Sequence, residues 1–569
     1  MDLVGSIEPF RGAAPLKWTA ALSDTASAVY GELLNLYGKD GHAVRQAVAL
    51  CRRAVDEFAK IFGANTSCAV VRSTGRVNLM GMHIDHRGGA VNPISVKELF
   101  LVASPRDDDW VDVHNVDSEA FPPFRFSISA ELGPKKIHDW DGWTHSELDK
   151  RKATSTAAHW SNYVKAAVLY LQHLHTEENG RFSPALTGMN VVILGNIPRA
   201  AGLSSSSSVV VATAEACLQL NSLTMSATDF IDTCGQGEWY VGTRGGSGDH
   251  AAIKFGKPGM ISHLGSMPLT VNHVPFPEGY KAVLCDSQIE ANKTAGARNA
   301  FNARVAAYEF SLLLLKAAFP EFADTLQHLR DVNPETLGVD EATIYEMLRA
   351  LPLTATRADV RERLPGCAER LSRIFQSHDE PDEGYRVRHV CLFGISECRR
   401  SDKGAQRLRQ GDVAGFAHLL NTAHDGDRVS RCIHADSEVR ADSGIRGERG
   451  AFLPDLCDES LAALIADLRS GDPEQAGAAR IEMQPGGYEC SLPQIDAMVD
   501  IARSVPGVLG ARLVGAGLGG CIWVLVDDEH VESLMAAMTE SYYDARELTP
   551  AMEICVPVGG ASPLSPPHP

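Results

Sequence analysis

Gly75-Arg76-Val77-Asn78-Leu79-Met80-Gly81-Met82-His83-Ile84-Asp85-His86-Arg87-Gly88-Gly89 is the stretch from which the rest of the chain can be read. A short strand over residues 76–80 runs into a glycine-bounded segment that carries His83, Asp85 and His86. Two more glycine-punctuated segments follow, in order: Gly202-Leu203-Ser204-Ser205-Ser206-Ser207-Ser208 and Gly515-Ala516-Gly517-Leu518-Gly519-Gly520-Cys521. Each alone is compatible with an ordinary loop. Together they describe a sugar-sized pocket, a phosphate cradle and a closing glycine loop.

In the first segment, alternation places His83 and Asp85 on one face of extended chain, with Ile84 on the other. Paired in this way they can bind vicinal hydroxyls. His83, Asp85 and His86 are also metal-ligand types, but no zinc-like spacing accompanies them. Arg76 presents several donors to oxyanions and is suited to a transferring phosphoryl group, or to a structural salt bridge.

Five serines in a row, taken alone, read as a linker. Here a strand over Met189 to Leu194 precedes them and Val209-Val210-Val211-Ala212 continues them into a helix. Gly202 lets the backbone approach a ligand, and the serines open the helix where unpaired N–H groups favour phosphate. Serine hydroxyls add donors and an oxygen ligand for Mg²⁺. No Gly-Lys-Ser/Thr follows, so this is not a Walker loop. Gly245-Gly246-Ser247-Gly248-Asp249-His250 places a carboxylate after a flexible turn, where Asp249 can orient or deprotonate a hydroxyl, or cap an Asx turn.

The 569 residues exceed one ordinary core and call for two large domains with additions. Lys and Arg number 53 against 72 Asp and Glu, a net charge of −19 that argues against nucleic-acid or anionic-membrane partners. Thirteen cysteines without a Cys-x-x-Cys read as reduced thiols. No secretory signal is visible, and the apolar run Phe310 to Leu315 is too short for a bilayer. The expectation is a cytoplasmic protein.

Apolar spacing predicts one or two helices in residues 20–62, helices at 157–175, 206–220, 299–318, 403–420, 458–468 and 492–504, and an inserted helical pair at 335–385. Strands are expected at 69–71, 76–80, 99–103, 110–113, 189–194, 280–285, 510–514 and 522–526. Residues 133–155 read as loop and 562–567 as disordered. Strands and helices in both halves give an α+β class. The expected organisation is a helical extension (1–62), one domain over 63–275, a second over 276–555 and a tail over 556–569.

The order and content of these motifs resemble the GHMP kinases and, within them, the galactokinase branch. Gly75 to Asp85 resembles the galactokinase signature, Gly202 to Ser208 the family's phosphate loop, and Gly242 to Asp249 the segment of the catalytic aspartate. Phe301-Asn302-x-Arg304, Leu329 to Val332, Arg388-His389-Val390, Tyr488 to Ser491 and Ala511 to Cys521 are similar to further branch segments. The resemblance covers about 64–335 and 386–555. It implies two domains with the site in the cleft between them, ATP with Mg²⁺ as donor, and a sugar's anomeric hydroxyl as acceptor.

By position, the resemblance implies that Asp249 is catalytic and Arg76 its charge-stabilising partner. His83, Asp85, Gly246 and the positions of Met82, Arg244 and Phe301 fall on the sugar side. Gly202, Leu203, Ser204, Ser205, Ser206 and Ser207, with Gly517 and Gly519, fall on the ATP side, and Ser206 and Glu238 on the metal. Four departures stand out: Met82 replaces Glu, Phe301 replaces Tyr, His250 replaces Gln, and Glu238 is one residue nearer Asp249 than the pattern has it. Arg244 is an added cation. Losing an acid at 82 and gaining Arg244 suits a sugar carrying a carboxylate, and His83 to Gly89 with Thr243-Arg244 also looks like the galacturonokinases of this branch. Galactose or another neutral aldose remains open, as does a non-catalytic regulator of the family.

Overall fold

The computed structural model describes residues 3–5, 9–38, 40–198, 201–290, 295–430 and 456–567. A six-stranded sheet anchors the first half. It comprises β2 (Ala69–Asn78), β3 (Pro93–Pro105), β4 (Trp110–Asn115), β5 (Phe124–Ser127), β6 (Met189–Gly195) and β14 (Ser562–Pro563), in the order β14-β2-β3-β6-β4-β5. β4 runs parallel to β6, and the other pairs are antiparallel. β1 (Leu3–Gly5) pairs with β7 (Thr224–Ser226), and β8 (Met260–Gly265) with β9 (Thr270–Pro275).

The period of two in these strands decides what lies on each face. Leu99, Leu101, Ala103, Val191 and Ile193 pack on α6 (Ser161–Leu174) and α7 (Ser205–Leu220). Phe100, Val102, Val192 and Leu194 point the other way, onto α1 (Pro15–Ser23), α2 (Ala28–Leu36) and α3 (Gly41–Phe62). The two helices within 20–62 are α2 and α3, as the spacing allows, and α1, which begins before that window, joins them to close a sheet that is apolar on both faces. Breaks at Asp24 and Asp40 separate the three: Asp24 ends α1, and the Asp40 carboxylate caps α3 by accepting from the N–H groups of His42 and Ala43.

Two expectations are corrected. Residues 133–155, read as loop, follow α4 (Ile128–Leu132) and contain α5 (Trp140–Ala153), capped by Asp139. The polar composition of α5 hid it, because its few inward residues, Trp140, Thr144 and Arg151, suffice to seat it. The tail, read as disordered, adds β14 to the sheet edge and buries Leu564. Arg72, fully buried, donates to the carbonyl oxygens of Gly559 and Gly560 and holds that return in place.

α8 (Ala227–Glu238) and α9 (Gly248–Phe255) lead to the second half. There β10 (Tyr280–Asp286), β11 (Val508–Leu513), β12 (Cys521–Asp527) and β13 (Met552–Cys555) form a sheet ordered β11-β12-β10-β13, antiparallel throughout. α10 (Ala295–Ala318) turns Tyr308, Leu312 and Leu315 into the core of this half. The segment expected as a helical pair is four short helices, α11 (Pro334–Leu337), α12 (Glu341–Arg349), α13 (Arg357–Arg363) and α14 (Ala368–Phe375). The helix expected at 403–420 is two, α15 (Val387–Arg409) and α16 (Val413–Asp427), because Gly411 adopts a left-handed φ of 76° and Asp412 caps the second. α17 (Asp458–Leu468), α18 (Pro473–Ala478), α19 (Pro493–Ser504) and α20 (Val531–Met538) complete this half.

The two halves share an apolar seam. Val77, Leu79 and Met80 of the first pack with Leu284, Phe416, Val514 and Trp523 of the second. That seam sets the glycine-rich segments of both halves against one another. Among the described residues no helix is long and apolar enough to cross a membrane.

Candidate active site

Arg76 lies near the end of β2, and Asp249 in the first turn of α9. The Arg76 guanidinium grips Asp249 with two donors, Nε to Oδ1 at 2.7 Å and Nη2 to Oδ2 at 2.8 Å. Such a fork fixes orientation as well as charge. The Arg76 side chain is 10% exposed and that of Asp249 39%, so the carboxylate faces the cleft while the cation supports it from behind. Ser204 Oγ donates to Asp249 Oδ2 at 2.5 Å. Arg76 Nη1 also donates to the Gly202 carbonyl, and the Arg76 N–H to the Leu203 carbonyl at 3.0 Å. The Arg76–Asp249 pair and the serine loop are thereby one assembly.

The loop is shaped for close approach. Gly202 has φ of 80°, and a Cβ there would lie 2.9 Å from the Val514 carbonyl oxygen. Ser204 caps α7 in the left-handed region at φ 54°. From Ser205 onward, through Ser206 and Ser207, the backbone N–H groups of the first turn point out of the helix end. The last glycine segment closes over this loop: Gly515 abuts Gly202, and Gly517 abuts Cys490. The Leu518 N–H donates to the Cys490 carbonyl at 2.8 Å, and Gly519 lies in the same turn.

Glu238 ends α8 beside the serine loop. Ser207 Oγ donates to its Oε2 at 2.9 Å, and His250 Nε2 lies 2.7 Å from the same oxygen, an ion-pair distance without hydrogen-bond geometry. Being one residue out of step therefore does not keep Glu238 from the loop. Tyr163 on α6 also reaches this point: it bonds to Ser206 and feels the charge of Glu238, while burial raises its pKa. Tyr163 was not singled out in the sequence, because an aromatic residue in an apolar helix carries no distinguishing signal.

The sugar-side segment departs from the extended form expected of it. His83 has φ of 66°, and Asp85 begins a 3₁₀ turn, Asp85–Arg87. The two side chains consequently part. Asp85 bonds to His86 Nδ1 at 3.1 Å and lies against the catalytic segment, where a Cβ on Gly246 would come within 2.5 Å of its Oδ2. Burial raises the Asp85 pKa, but the His86 hydrogen bond outweighs it and holds the carboxyl at about 2. His83 turns instead into the second half, stacked on the Tyr488 ring with centroids 4.3 Å apart. Burial, helped by the nearby charge of Arg512, lowers its pKa to about 3, so the imidazole is neutral.

Met82 and Arg244 do not form the carboxylate-receiving pair expected of them. Met82 is 3% exposed and packs in the core of the second half. Arg244 is engaged elsewhere: Nε donates to Asp141 at 2.6 Å, Nη1 to the Trp239 carbonyl at 2.9 Å, and Nη2 to Thr144 Oγ1 at 2.9 Å. The partner is α5, the helix hidden by its polar composition. Phe301 lies half-buried on α10, one turn before Arg304, which donates to the carbonyl oxygens of Tyr488 and Glu489.

Beneath the sugar-side loop lies a charged network the sequence did not announce. Glu397 on α15 accepts from the N–H of Gly81 at 2.8 Å and of Met82 at 3.2 Å. It also accepts from Arg512 Nη1 and Arg400 Nε, both at 2.8 Å. Arg512 Nη2 donates to Asp427 Oδ2 at 3.0 Å. All four side chains are fully buried. Arg512 stands in a motif segment, but its neighbours in the network come from helices with no local signature.

Comparison with known proteins follows these features. The family model described as GHMP kinases N terminal domain matches residues 162–257, the galactokinase galactose-binding signature matches 56–104, and GHMP kinases C terminal matches 461–544. The chain is similar to a galactokinase of Roseiflexus sp. (strain RS-1), 27% identical over 489 residues, covering 85% of this chain and 90% of that one. It is similar also to a galactokinase of Dictyostelium discoideum, 25% identical over 505 residues, covering 86% and 87%. The fold resembles that of Lactococcus lactis galactokinase, crystallised with galactose, at a TM-score of 0.58 and 21% identity over 91% of this chain and 99% of that one.

Proposed function

We propose that this chain, which belongs to the GHMP kinases and within them to the galactokinase branch, transfers the terminal phosphoryl group of ATP to the anomeric hydroxyl of a neutral galactose-type sugar. The observation that carries the reading is the Arg76–Asp249 fork tied to Ser204 and Gly202. It joins a carboxylate open to the cleft to a loop built for phosphate. The galactokinase relatives and the galactose-binding signature support the sugar class.

ATP would supply the phosphoryl group, and Mg²⁺ would offset charge on its phosphates. The residues fit both. The Gly202 cradle leaves no room for a side chain, and the serine loop ends in free N–H donors at a helix start. The Glu238 carboxylate and the Ser206 hydroxyl are hard oxygen donors of the kind Mg²⁺ takes. Asp249 orients the sugar hydroxyl and accepts its proton, while Arg76 keeps the carboxylate in line and adds positive charge next to the transfer point. Asp85, against Gly246, supplies a hydroxyl acceptor, and His83 shapes the adjoining wall.

Arg244 favours a neutral sugar over a uronate, because its donors are spent on Asp141, Trp239 and Thr144. A non-catalytic regulator has no need of the open carboxylate and its fork. The test is ADP release from ATP·Mg²⁺ with galactose, galacturonate, glucuronate, glucose and arabinose in parallel. Release with galactose that disappears in D249A supports the reading. Release with galacturonate alone overturns the neutral-sugar choice, and silence on every sugar overturns the kinase.

A further inference from the structure

We propose that His83, Asp427 and Cys490 form a binding site for a single thiophilic divalent cation, with Zn²⁺ the best match. The three residues come from three elements: the loop after β2, the C-terminal end of α16, and the segment that precedes α19. Their ligand atoms converge. Cys490 Sγ lies 3.3 Å from His83 Nε2 and 3.3 Å from Asp427 Oδ1, and His83 Nε2 lies 3.9 Å from that same oxygen. All three atoms fall within 4.8 Å of one another, and no other such group of His, Cys, Asp and Glu occurs among the described residues.

The spacing suits a tetrahedron. With Zn–S of about 2.3 Å and Zn–N and Zn–O of about 2.0–2.2 Å, the ligand–ligand edges are about 3.3–3.6 Å. The observed separations therefore need adjustments of no more than about 0.6 Å. The chemistry suits it as well. His83 Nε2 faces the cluster, 3.3 Å from the thiol sulfur. Asp427 spends Oδ2 on Arg512 and keeps Oδ1 toward the thiol, and the Arg512 contact fixes the carboxylate's rotation as an outer partner does in metal sites. The Tyr488 ring stacked on His83 fixes the plane of the imidazole.

Binding is a proton exchange without electron transfer: the cation forms a bond to Cys490 Sγ and the thiol proton leaves to solvent. One thiolate and one carboxylate balance the charge of the cation. Because the ligand is a thiolate, binding releases a proton and affinity rises with pH. The site ties the His83 loop to two segments of the second half, and a bound cation would cross-link the seam between them.

The experiment titrates Co²⁺ into the chelator-treated full-length protein and follows absorption. The expected result is one Co²⁺ per chain with a thiolate-to-cobalt charge-transfer band and tetrahedral d–d bands, both displaced by one equivalent of Zn²⁺. In C490S the charge-transfer band is lost. In D427N the affinity falls at least tenfold. In C457S, a half-exposed cysteine remote from the cluster, the spectrum is unchanged. Zn²⁺ also raises the melting temperature of the wild type and not that of C490S. Should C490S fail to fold by circular dichroism, H83Q serves in its place, with the charge-transfer band kept and the d–d bands shifted. No band in the wild type, or an equal band in folded C490S, overturns the proposal.

Discussion

Two arginine–carboxylate assemblies stand on either side of the segment 76–85, and they use the same chemistry to opposite ends. Arg76 grips Asp249 at the cleft, where the carboxylate keeps 39% of its side chain exposed. Arg512 and Arg400 grip Glu397 where nothing is exposed at all. In the first, the cation orients a group that stays open to the cleft, where the proposed function puts the substrate. In the second, both carboxylate oxygens are engaged by the protein, two of the donors being the N–H groups of Gly81 and Met82. Exposure separates a carboxylate available to a ligand from a framing one.

The sharpest way to break the contrast is to take one charged partner out of each assembly and ask what is lost. D249N is expected to lower kcat by about 10²–10⁴-fold, with a melting temperature close to that of the wild type. A large drop in melting temperature with activity retained would reverse the assignment of roles. R512L leaves Glu397 and Asp427 buried without their shared partner, and is expected to cost about 3–5 kcal/mol in denaturant unfolding. A loss below 1 kcal/mol would mean that the network contributes little to the frame.

Acid sharpens the comparison further. Burial pushes the Glu397 carboxyl up, but the charges of Arg512 and Arg400 outweigh it and hold it at about 2, against 4.5 for the free side chain. A carboxyl lowered on folding stabilises the protein above its unfolded value and loses that contribution as pH falls. Stability is thus expected to decline from about pH 4.5 toward 2, and E397Q, less stable at neutral pH, is expected to show a shallower decline in melting temperature over that window. An equal slope in both proteins would remove Glu397 as the cause. The smallest effect belongs to the rim. R244A cuts a partly exposed ion pair to Asp141 and is expected to change the galactose-to-galacturonate ratio of kcat/KM by less than about twofold. A tenfold change would return Arg244 to the substrate.

The contents of the cleft were more legible than its shape. Gly202, the serine loop, Arg76 and Asp249 stand in local patterns whose physical reasons are local, a close approach and a helix start. The parting of His83 from Asp85 was not legible, because alternation along the chain presumes extended backbone, and His83 adopts a left-handed φ. The role of Arg244 was misread because its partner helix, α5, has too few inward residues to register as amphipathic. The tail was misread because a strand of two residues gains its pairing from the edge of β2 and not from its own composition.

The sequence by itself determined the motif order, the α+β class, the family likeness and the places of the serine loop and Asp249 along the chain. These rest on short-range rules of spacing, capping and glycine placement. Only the tertiary structure decided that Arg244 faces α5, that Met82 is core, that Glu238 reaches Ser207 despite its offset, and that His83, Asp427 and Cys490 converge. Each of those depends on residues up to several hundred positions apart meeting in a packed interior. There, desolvation and the obligation to pair every buried charge settle which partner each side chain takes.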